Sequence, residues 1–413
     1  MEAFGTRFLF DPATTMTTVA FVLGGVGIGT ISGLTPGIHV NNLALLLASV
    51  ATSIAGPPKL VGAAILAAGV VHSFLDVVPA LALGVPDPVM AASALPGHRL
   101  VIEGQGREAI RLSALGSGLA VAVAVPLAIP VTMVMTDVYP FLRGHLPLFL
   151  LGTTGFLVFT EPTRRGQIGG VVAFSASAVL GILSLPLSPT APLGVGSVLT
   201  PLFAGLFGAP VLLDAMGGAG VPKQAGTTLT MPRPLLLMTA LAGSFAGAIV
   251  GYLPGVSSAI AAVLALTLVP DRTEARGFIV ASSGVNTANT IFALFALVSL
   301  DTPRTGVMVA LRETNAPLDL PVLLVSAAVA GVVGFVLVLV LGDTYLETVG
   351  GMDYRRLSVA VLGLLVAASF LFAGVIGIGL FVCSAVLGLL PPRLGCRRVH
   401  LMGVLIGPLI VGV

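Results

Sequence analysis

Long apolar runs without a charged residue dominate the chain. Charged residues are absent between Asp11 and Lys59, between Arg165 and Asp214, between Arg233 and Asp271, and between Arg356 and Arg393. Shorter uncharged runs cover residues 112–136, 277–300 and 320–342. A helix needs about 20 apolar residues to cross the hydrocarbon of a bilayer, and continuous rather than alternating runs favour helices over strands. The pattern predicts an all-α polytopic membrane protein with about 10–14 membrane segments.

Composition supports this interpretation and excludes several classes of protein. Hydrophobic residues make up 56% of the 413 residues and charged residues only 9%, against about 25% in a soluble domain. The formal net charge is +2, and Lys59 and Lys223 are the two lysines. Such a chain lacks the charged exterior of a soluble fold and the clustered cations of a nucleic-acid binder. We therefore expect a multi-pass protein of the cell membrane, surrounded by lipid and without a nucleic-acid partner.

Two sequence landmarks recur in the two halves of the chain. Gly33–His39 and Gly251–Ser257 both read Gly-x-x-Pro-Gly-aliphatic-polar and lie 218 positions apart. Leu81–Pro86 and Val298–Pro303 form a second matched pair, 217 positions apart. A matched pair of landmarks at matched spacing predicts an internal duplication, with a first membrane repeat over 1–210 and a second over 211–413. We expect the repeats to be inverted relative to each other.

The Pro-Gly pairs lie inside apolar runs, where they predict broken or re-entrant helices. Secondary transporters bind substrate near the bilayer midplane where such helices meet, and a helix N-terminus exposed there favours an anion. A turn between two helices at the surface is the alternative interpretation of each pair, and hydroxyl side chains also join helices without binding a ligand. The predicted substrate-binding residues are the polar and loop residues around the two breaks: Thr35, Pro36, Gly37, His39, Asn41, Pro254, Gly255, Ser257, Ser258, Asn286 and Asn289.

His72 and Asp76 are ionisable residues inside an apolar run. They are four positions apart and therefore share a helix face. Ionisable groups in the bilayer are costly, which makes each a functional hypothesis by default. We predict that the pair couples transport to an ion, either a proton or sodium; a structural pair bracing neighbouring helices is the alternative.

Three segments resemble the large permeases of the tripartite tricarboxylate transporter (TctA-like) family. Leu81–Ala109, with Pro96-Gly97 before a Gly- and Arg-containing run, resembles the family's segment of the same order. Gly251–Ile260 is similar to its Leu-Pro-Gly-x-Gly loop, and Ser283–Asn289 to its Asn-Asn-Ala segment. In this chain the asparagines are spread to Asn286 and Asn289, and Pro86 is followed by Asp87. The resemblance implies coupled uptake of a di- or tricarboxylate, beside a small membrane subunit and an extracytoplasmic binding protein.

Two other classes of function remain open at this point. Some repeat families with similar Pro-Gly loops translocate lipid carriers such as polyprenyl phosphates, and a structural membrane protein would have no substrate. Catalysis has little support, because the sequence holds no nucleophile elbow, Walker loop or metal-ligand cluster. We expect no enzyme activity, no metal and no cofactor beyond a coupling Na⁺ or H⁺.

Orientation does not follow from the sequence. Basic residues follow the landmarks in both halves, as in the Arg99–Arg111 loop and the Arg304–Glu313 loop, so a count of positive loops favours neither side. The Arg99–Arg111 segment is expected to be a solvated loop, and an arginine gate for anions is the alternative.

Overall fold

The computed structural model describes residues 2–3, 6–7, 11–36, 38, 40–51, 54–84, 94–194, 196–217, 221–253, 258–266, 274–315 and 317–412. Two short paired strands, β1 Glu2–Ala3 and β2 Thr6–Arg7, precede the helices. The helices that follow, up to residue 215, are α1 Pro12–Leu34, α2 Val40–Ala51, α3 Pro58–Leu75, α4 Val77–Leu83, α5 Ala94–Ile102, α6 Gly106–Gly144, α7 Leu146–Phe159, α8 Arg164–Ser184, α9 Leu199–Phe203 and α10 Ala209–Ala215, the last two joined by the π-helix Ala204–Gly208. The remaining helices are α11 Arg233–Tyr252, α12 Ser258–Leu266, α13 Glu274–Leu300, α14 Gly306–Glu313, α15 Leu320–Gly350, α16 Tyr354–Gly388, α17 Leu390–Leu394, the 3₁₀ helix Arg398–Met402 and α18 Gly403–Val411.

Eight of the described helices are long and apolar enough to cross a membrane, which confirms the prediction of a multi-pass helical protein. They are Pro12–Leu34, Pro58–Leu83, Gly106–Gly144, Arg164–Ser184, Arg233–Tyr252, Ala275–Leu300, Leu320–Gly350 and Tyr354–Leu394. This is fewer than the expected number of segments, because several apolar runs form helices too short to cross alone: Asn42–Ala51, Leu146–Phe159, Leu199–Ala215 and Arg398–Val411.

Polar residues at the ends of the apolar runs start the long helices. The Asp11 carboxylate accepts a hydrogen bond from the Thr14 amide at 3.0 Å and caps α1, with Pro12 in the first turn. Asp353 caps α16 in the same way. These caps satisfy amides that the first turn of a helix leaves free. Asp11 and Asp353 therefore mark the starts of α1 and α16.

The centre of the fold is built from α3–α4 and α13. In the most apolar windows of Pro58–Leu83 and Ala275–Leu300, 94% and 78% of the residues are buried. The corresponding share is only 22% in α6 and 33% in the span that contains α16, whose side chains face outwards. A helix that is apolar all round and buried all round is surrounded by other helices. α3 and α13 are therefore the core helices of the protein.

Glycines bring α1 and α11 into close contact with the core helices. A Cβ atom built on Gly25 or Gly29 of α1 would overlap the carbonyl oxygen of Ala64 or Ala68 of α3. On α11, a Cβ built on Gly243 would lie 2.6 Å from the Ala281 carbonyl oxygen of α13, and one on Gly247 only 2.6 Å from the Ala288 Cβ. Small residues four apart let helix backbones approach closely in a membrane. Gly25 and Gly29 lie 218 positions before Gly243 and Gly247.

The two core helices run in opposite directions. Asp76, between α3 and α4, contacts Asn286 of α13, whereas further along, Leu81 of α4 and Ile279 of α13 both lie within 3.5 Å of a Cβ built on Gly97. As residue numbers rise along α3–α4, the contacted residue numbers fall along α13, so the two spans are antiparallel. α3 packs between α1 and α15, and α13 packs between α11 and α6. Each core helix thus contacts one helix from its own half of the chain and one from the other half.

The helices form two bundles, each drawn from both halves. The first contains α1–α6 and α11–α15, and the second contains α7–α10 and α16–α18. The second has its own apolar core, which includes Leu150 and Phe207 from the first half and Leu401 and Ile406 from the second. The predicted repeat boundary at residue 210 falls inside α10, and the extended segment 221–232 then leads from α10 to α11.

One end of the first bundle is rich in ion pairs. There α6 begins beside the end of α15: Arg111 forms a two-point ion pair with Asp343, with Nη–Oδ distances of 2.8 and 3.0 Å, and Arg107 pairs with Glu347. We call this end, where α6, α11 and α13 begin and α4 and α15 end, the arginine-rich face. The end where α1, α3 and α15 begin and α6 and α13 end is the opposite face.

Candidate functional site

The candidate site lies where the middle of α13 contacts the junction between α3 and α4. Asp76 stands at the junction of α3 and α4 and is 6% exposed, although its amide still donates to the His72 carbonyl at 2.9 Å. His72, one turn earlier, is fully buried. The chain thus places two ionisable side chains in its most buried span.

The carboxylate of Asp76 bonds directly to the other half of the chain. The Asn286 side-chain amide of α13 donates to Asp76 Oδ2 at 2.9 Å and lies 3.4 Å from the Ser73 carbonyl oxygen. Asn286 is itself only 6% exposed. Asn286 was predicted to bind substrate and Asp76 to couple an ion; the structure brings these two residues together in one hydrogen bond.

The imidazole of His72 bonds to α1. Ser32 Oγ lies 2.9 Å from His72 Nδ1 and 3.1 Å from the Gly29 carbonyl oxygen. Because the hydroxyl has only one proton, it donates to either the Gly29 carbonyl or His72 Nδ1, and the tautomer of His72 decides which. Sequence reasoning missed Ser32. The available signal was its position near the end of a Gly-rich helix, just before the Pro36-Gly37 pair.

Both helices that precede the Pro-Gly pairs end beside a core helix that continues. α1 ends at Leu34, and a Cβ on Gly33 would lie 2.8 Å from the Leu75 Cβ, whereas the α3–α4 span continues to Leu83. α11 ends at Tyr252, beside Phe292 of α13, which continues to Leu300. α1 and α11 therefore each end about two helical turns before the end of the core helix beside them.

Thr35 and Pro36 are the first residues after α1. The Thr35 hydroxyl donates to the Ile31 carbonyl at 2.7 Å, and its carbonyl accepts from the Ile38 amide at 3.3 Å in a turn. The hydroxyl of Thr35 is thus engaged by its own helix. Five predicted substrate residues lie outside the described part of the chain, namely Gly37, His39, Pro254, Gly255 and Ser257; Asn41 lies in α2, and its side chain is likewise outside it.

Buried polar atoms begin both of the helices that follow the breaks. Asn42 in the first turn of α2 is 1% exposed, and Ser258 at the start of α12 is 2% exposed. Asn42 Oδ1 and Ser258 Oγ have no hydrogen-bond partner among the described residues, and the same is true of Asn289 Oδ1 on α13. A buried polar atom without a partner is costly, so such atoms mark places where a ligand, ion or water is expected. Asn289 lies one turn after Asn286 on the same face of α13.

The Arg99–Arg111 segment is not the solvated loop expected from the sequence. α6 begins at Gly106, so Arg107, Glu108 and Arg111 lie in its first two turns. Glu108 is 3% exposed and accepts from Arg276 Nη2 at 3.0 Å and from the Thr230 amide at 2.7 Å. The segment joins α6, α13 and the 221–232 connection, and the wrong expectation arose because its partners lie more than 100 positions away.

The family model described as "Tripartite tricarboxylate transporter TctA family" matches residues 19–403. An uncharacterized protein from Methanocaldococcus jannaschii is 26% identical over 411 residues, which cover 96% of this chain and 99% of that protein. No solved structure matches the chain significantly.

Proposed function

We propose a transport function for a chain that belongs to the tripartite tricarboxylate transporter TctA family. The family is one of membrane transporters, and the eight long apolar helices agree with that. In our proposal the protein is a secondary active permease that moves a di- or tricarboxylate across the cell membrane, driven by a proton or sodium gradient. The family match gives no support to a lipid-carrier translocase.

The observation that carries the proposal is the buried contact between Asp76 and Asn286. It joins an ionisable group of one half to a polar group of the other half at the centre of the membrane bundle. Ionisable residues at that depth usually mark ion or substrate pathways. A change of charge or ligation at Asp76 would act on α13 through Asn286, and Asn289 lies one turn further along that helix. The contact thus offers a physical link between ion and substrate.

The substrate site in this proposal lies at the starts of α2 and α12. The amides of a first helical turn and the positive end of the helix dipole attract a carboxylate. The buried polar side chains of Asn42 and Ser258 stand at these two starts. One helix start from each half suits a substrate with at least two carboxylates. We keep Thr35, Pro36, Gly37, His39 and Asn41 of the first break in the proposed site, together with the corresponding residues of the second: Pro254, Gly255, Ser257 and Ser258.

We further propose that the halves are inverted repeats with re-entrant segments at the Pro-Gly pairs. Three findings support this arrangement. The close-contact glycines of α1 and α11 are 218 positions apart, the core helices run in opposite directions, and each helix before a break ends short of its neighbour. Inverted repeats around a midplane site are a common plan of secondary transporters.

Partners follow from the family rather than from this chain alone. The family takes its name from a tripartite system, so we propose that a small membrane subunit and an extracytoplasmic binding protein act with this permease. The binding protein would deliver the carboxylate to the site between α2 and α12.

Uptake by purified protein in liposomes tests the proposal. Labelled citrate and a panel of di- and monocarboxylates are offered under an imposed proton gradient and, separately, an imposed sodium gradient, with and without the binding protein. We expect uptake that depends on one gradient, and its loss in Asp76→Asn and Asn289→Ala with the amount of folded protein unchanged. Ser282→Ala is the matched control, because the Ser282 hydroxyl bonds only carbonyls of its own helix. Wild-type rates in both site variants would overturn the site.

A further inference from the structure

We infer that the arginine-rich face lies on the cytoplasmic side of the membrane, and hence that α1 begins on the outside. This proposal concerns the orientation of the chain, and it stands whether or not the proposed function is correct. It rests on sorting the basic residues by the end of the bundle at which they lie instead of by their order in the sequence.

The first bundle places most of its basic side chains at one end. α6, α11 and α13 all begin there, because Glu108 of α6 contacts both Arg276 at the start of α13 and Thr230 just before α11. The connection 221–232 is held at the same end, where Gln224 accepts from the Gly106 amide at 2.6 Å. The basic residues of the first bundle at this face are Arg99, Arg107, Arg111, Lys223, Arg233 and Arg276.

The second bundle extends the same face. Tyr354 at the start of α16 donates to the Leu83 carbonyl at the end of α4, at 3.2 Å. A Cβ on Gly84 would lie 3.1 Å from Val211 of α10, and three residues later Asp214 pairs with Arg398 at 3.3 Å. Arg397, directly before Arg398 in the sequence, pairs with Glu161 in the α7–α8 connection at 2.8 Å. α16 is interrupted at Gly374 (φ 58°, ψ −149°), so the chain turns back there and both ends of the α16–α17 span lie at the same face. These contacts add Arg164, Arg165, Arg355, Arg356, Arg393 and the Arg397–Arg398 pair to the face.

The opposite face carries few basic side chains in the part of the chain that is described. They are Lys59, Arg143, Arg304 and Arg312, and Arg7 of β2 precedes α1, which begins at this face. Arg304 contacts the Tyr139 hydroxyl and Arg312 pairs with Asp301, which ties the ends of α6 and α13 to this side. Acidic residues stand beside them, since Asp11 and Asp319 cap helices that start here.

This asymmetry has a known physical effect on insertion. Lys and Arg close to helix ends and in short connections are retained in the cytoplasm, whereas Asp and Glu have little influence. The connections at the arginine-rich face qualify as short; α15 and α16 are joined by Gly351–Asp353 alone. The count along the sequence gave no answer because the Arg99–Arg111 and Arg304–Glu313 segments lie at opposite ends of the bundle. If the proposed function holds, a soluble extracytoplasmic partner meets the face of Lys59 and Arg304.

Single-cysteine labelling in cells tests the orientation. The two native cysteines are replaced by Cys383→Ala and Cys396→Ser, and single cysteines are then introduced at open positions. Gly226→Cys and Met352→Cys report on the arginine-rich face, and Gly144→Cys and Ile54→Cys on the opposite face. A Cβ on Gly226 or Gly144 has no heavy atom within 4 Å, and Met352 and Ile54 are 50% and 40% exposed. Size-exclusion profiles identical to that of the cysteine-free parent establish that each variant is folded.

A membrane-impermeant maleimide is applied to intact spheroplasts and to permeabilised membranes. We expect Gly144→Cys and Ile54→Cys to be labelled in both preparations, and Gly226→Cys and Met352→Cys only after permeabilisation, with at least a tenfold difference in the labelled fraction. The reverse pattern, or equal labelling of all four variants in intact spheroplasts, would overturn the inference.

Discussion

Gly29 offers a sharp test of how α1 is positioned against α3. In Gly29→Ala the new methyl group would overlap the Ala68 carbonyl oxygen and lie 3.0 Å from the Ala68 carbonyl carbon and Cα. Backbone cannot rotate away as a flexible side chain can, so α1 has to move outwards by about 1 Å. Overpacking of this kind typically costs about 1–3 kcal/mol. The same shift would stretch the 2.9 Å contact between Ser32 and His72 beyond hydrogen-bond length.

Gly27→Ala is the matched control on the same helix. A Cβ on Gly27 has no heavy atom within 4 Å, so the change adds only helix propensity, worth about 1 kcal/mol. Because both variants gain this propensity, they should differ in free energy of unfolding by the overpacking cost alone, about 1–3 kcal/mol. For a chain of 413 residues, with an unfolding entropy of about 2.1 cal/mol/K per residue, this corresponds to about 1–3.5 °C in the melting temperature of the detergent-solubilised protein. Carboxylate uptake should fall in Gly29→Ala and persist in Gly27→Ala.

The repeat of the contact in the other half makes the test stricter. Gly247→Ala should behave like Gly29→Ala, because its Cβ would lie 2.6 Å from the Ala288 Cβ and 2.9 Å from the Val285 carbonyl oxygen. Equal melting temperatures for Gly27→Ala and Gly29→Ala would refute the close packing of α1 on α3. A fall in Gly29→Ala without one in Gly247→Ala would refute the equivalence of the two contacts.

Two further outcomes are expected. In a double-mutant cycle, Asp76→Asn and Asn286→Ala should show a coupling free energy of about 0.6–1.7 kcal/mol in thermal stability, whereas additive effects would mean that the two residues do not interact. Burial raises the pKa of Glu161, but hydrogen bonds from Arg397 and His400 outweigh it and leave the pKa below 4.5. A carboxyl group whose pKa is lower in the folded protein than in the unfolded chain stabilises the fold at pH values above its unfolded-state pKa. This contribution is lost as the pH falls through its folded-state pKa. The melting temperature of wild type should therefore drop below pH 4.5 more steeply than that of Glu161→Gln, and parallel pH curves would contradict this.

Local pattern was enough to predict the class of fold. The uncharged runs predict helices, and the polar residues His72 and Asp76 stand out within one of them because charge is so rare in this chain. The family match over residues 19–403 confirms the resemblance that rested on short motifs. These features depend on neighbouring residues, which a sequence displays directly.

Contacts between distant residues were beyond the reach of sequence reasoning. Nothing near Asn286 indicates that its amide bonds Asp76, 210 positions earlier, so it was assigned to the substrate alone. Ser32 was missed because a serine in a Gly-rich helix is usually a packing residue, and its role depends on His72 of another helix. The length of α6 was also unexpected, since Pro126, Pro130 and Pro140 lie inside one helix of 39 residues. Proline in a membrane helix is tolerated when the freed carbonyls find other partners.

The shared packing of the core helices has a consequence for synthesis of the protein. α3 lies between α1 and α15, so one of its neighbours leaves the ribosome more than 200 residues after it does. Until then, the span that carries His72 and Asp76 has no Asn286 to bond and no α15 to cover it. The first half must therefore wait in the bilayer as an incomplete bundle, in which the Asp76 carboxylate has not yet met the Asn286 amide. The packing around α3 is therefore completed only late in synthesis, after α13 and α15 have been inserted.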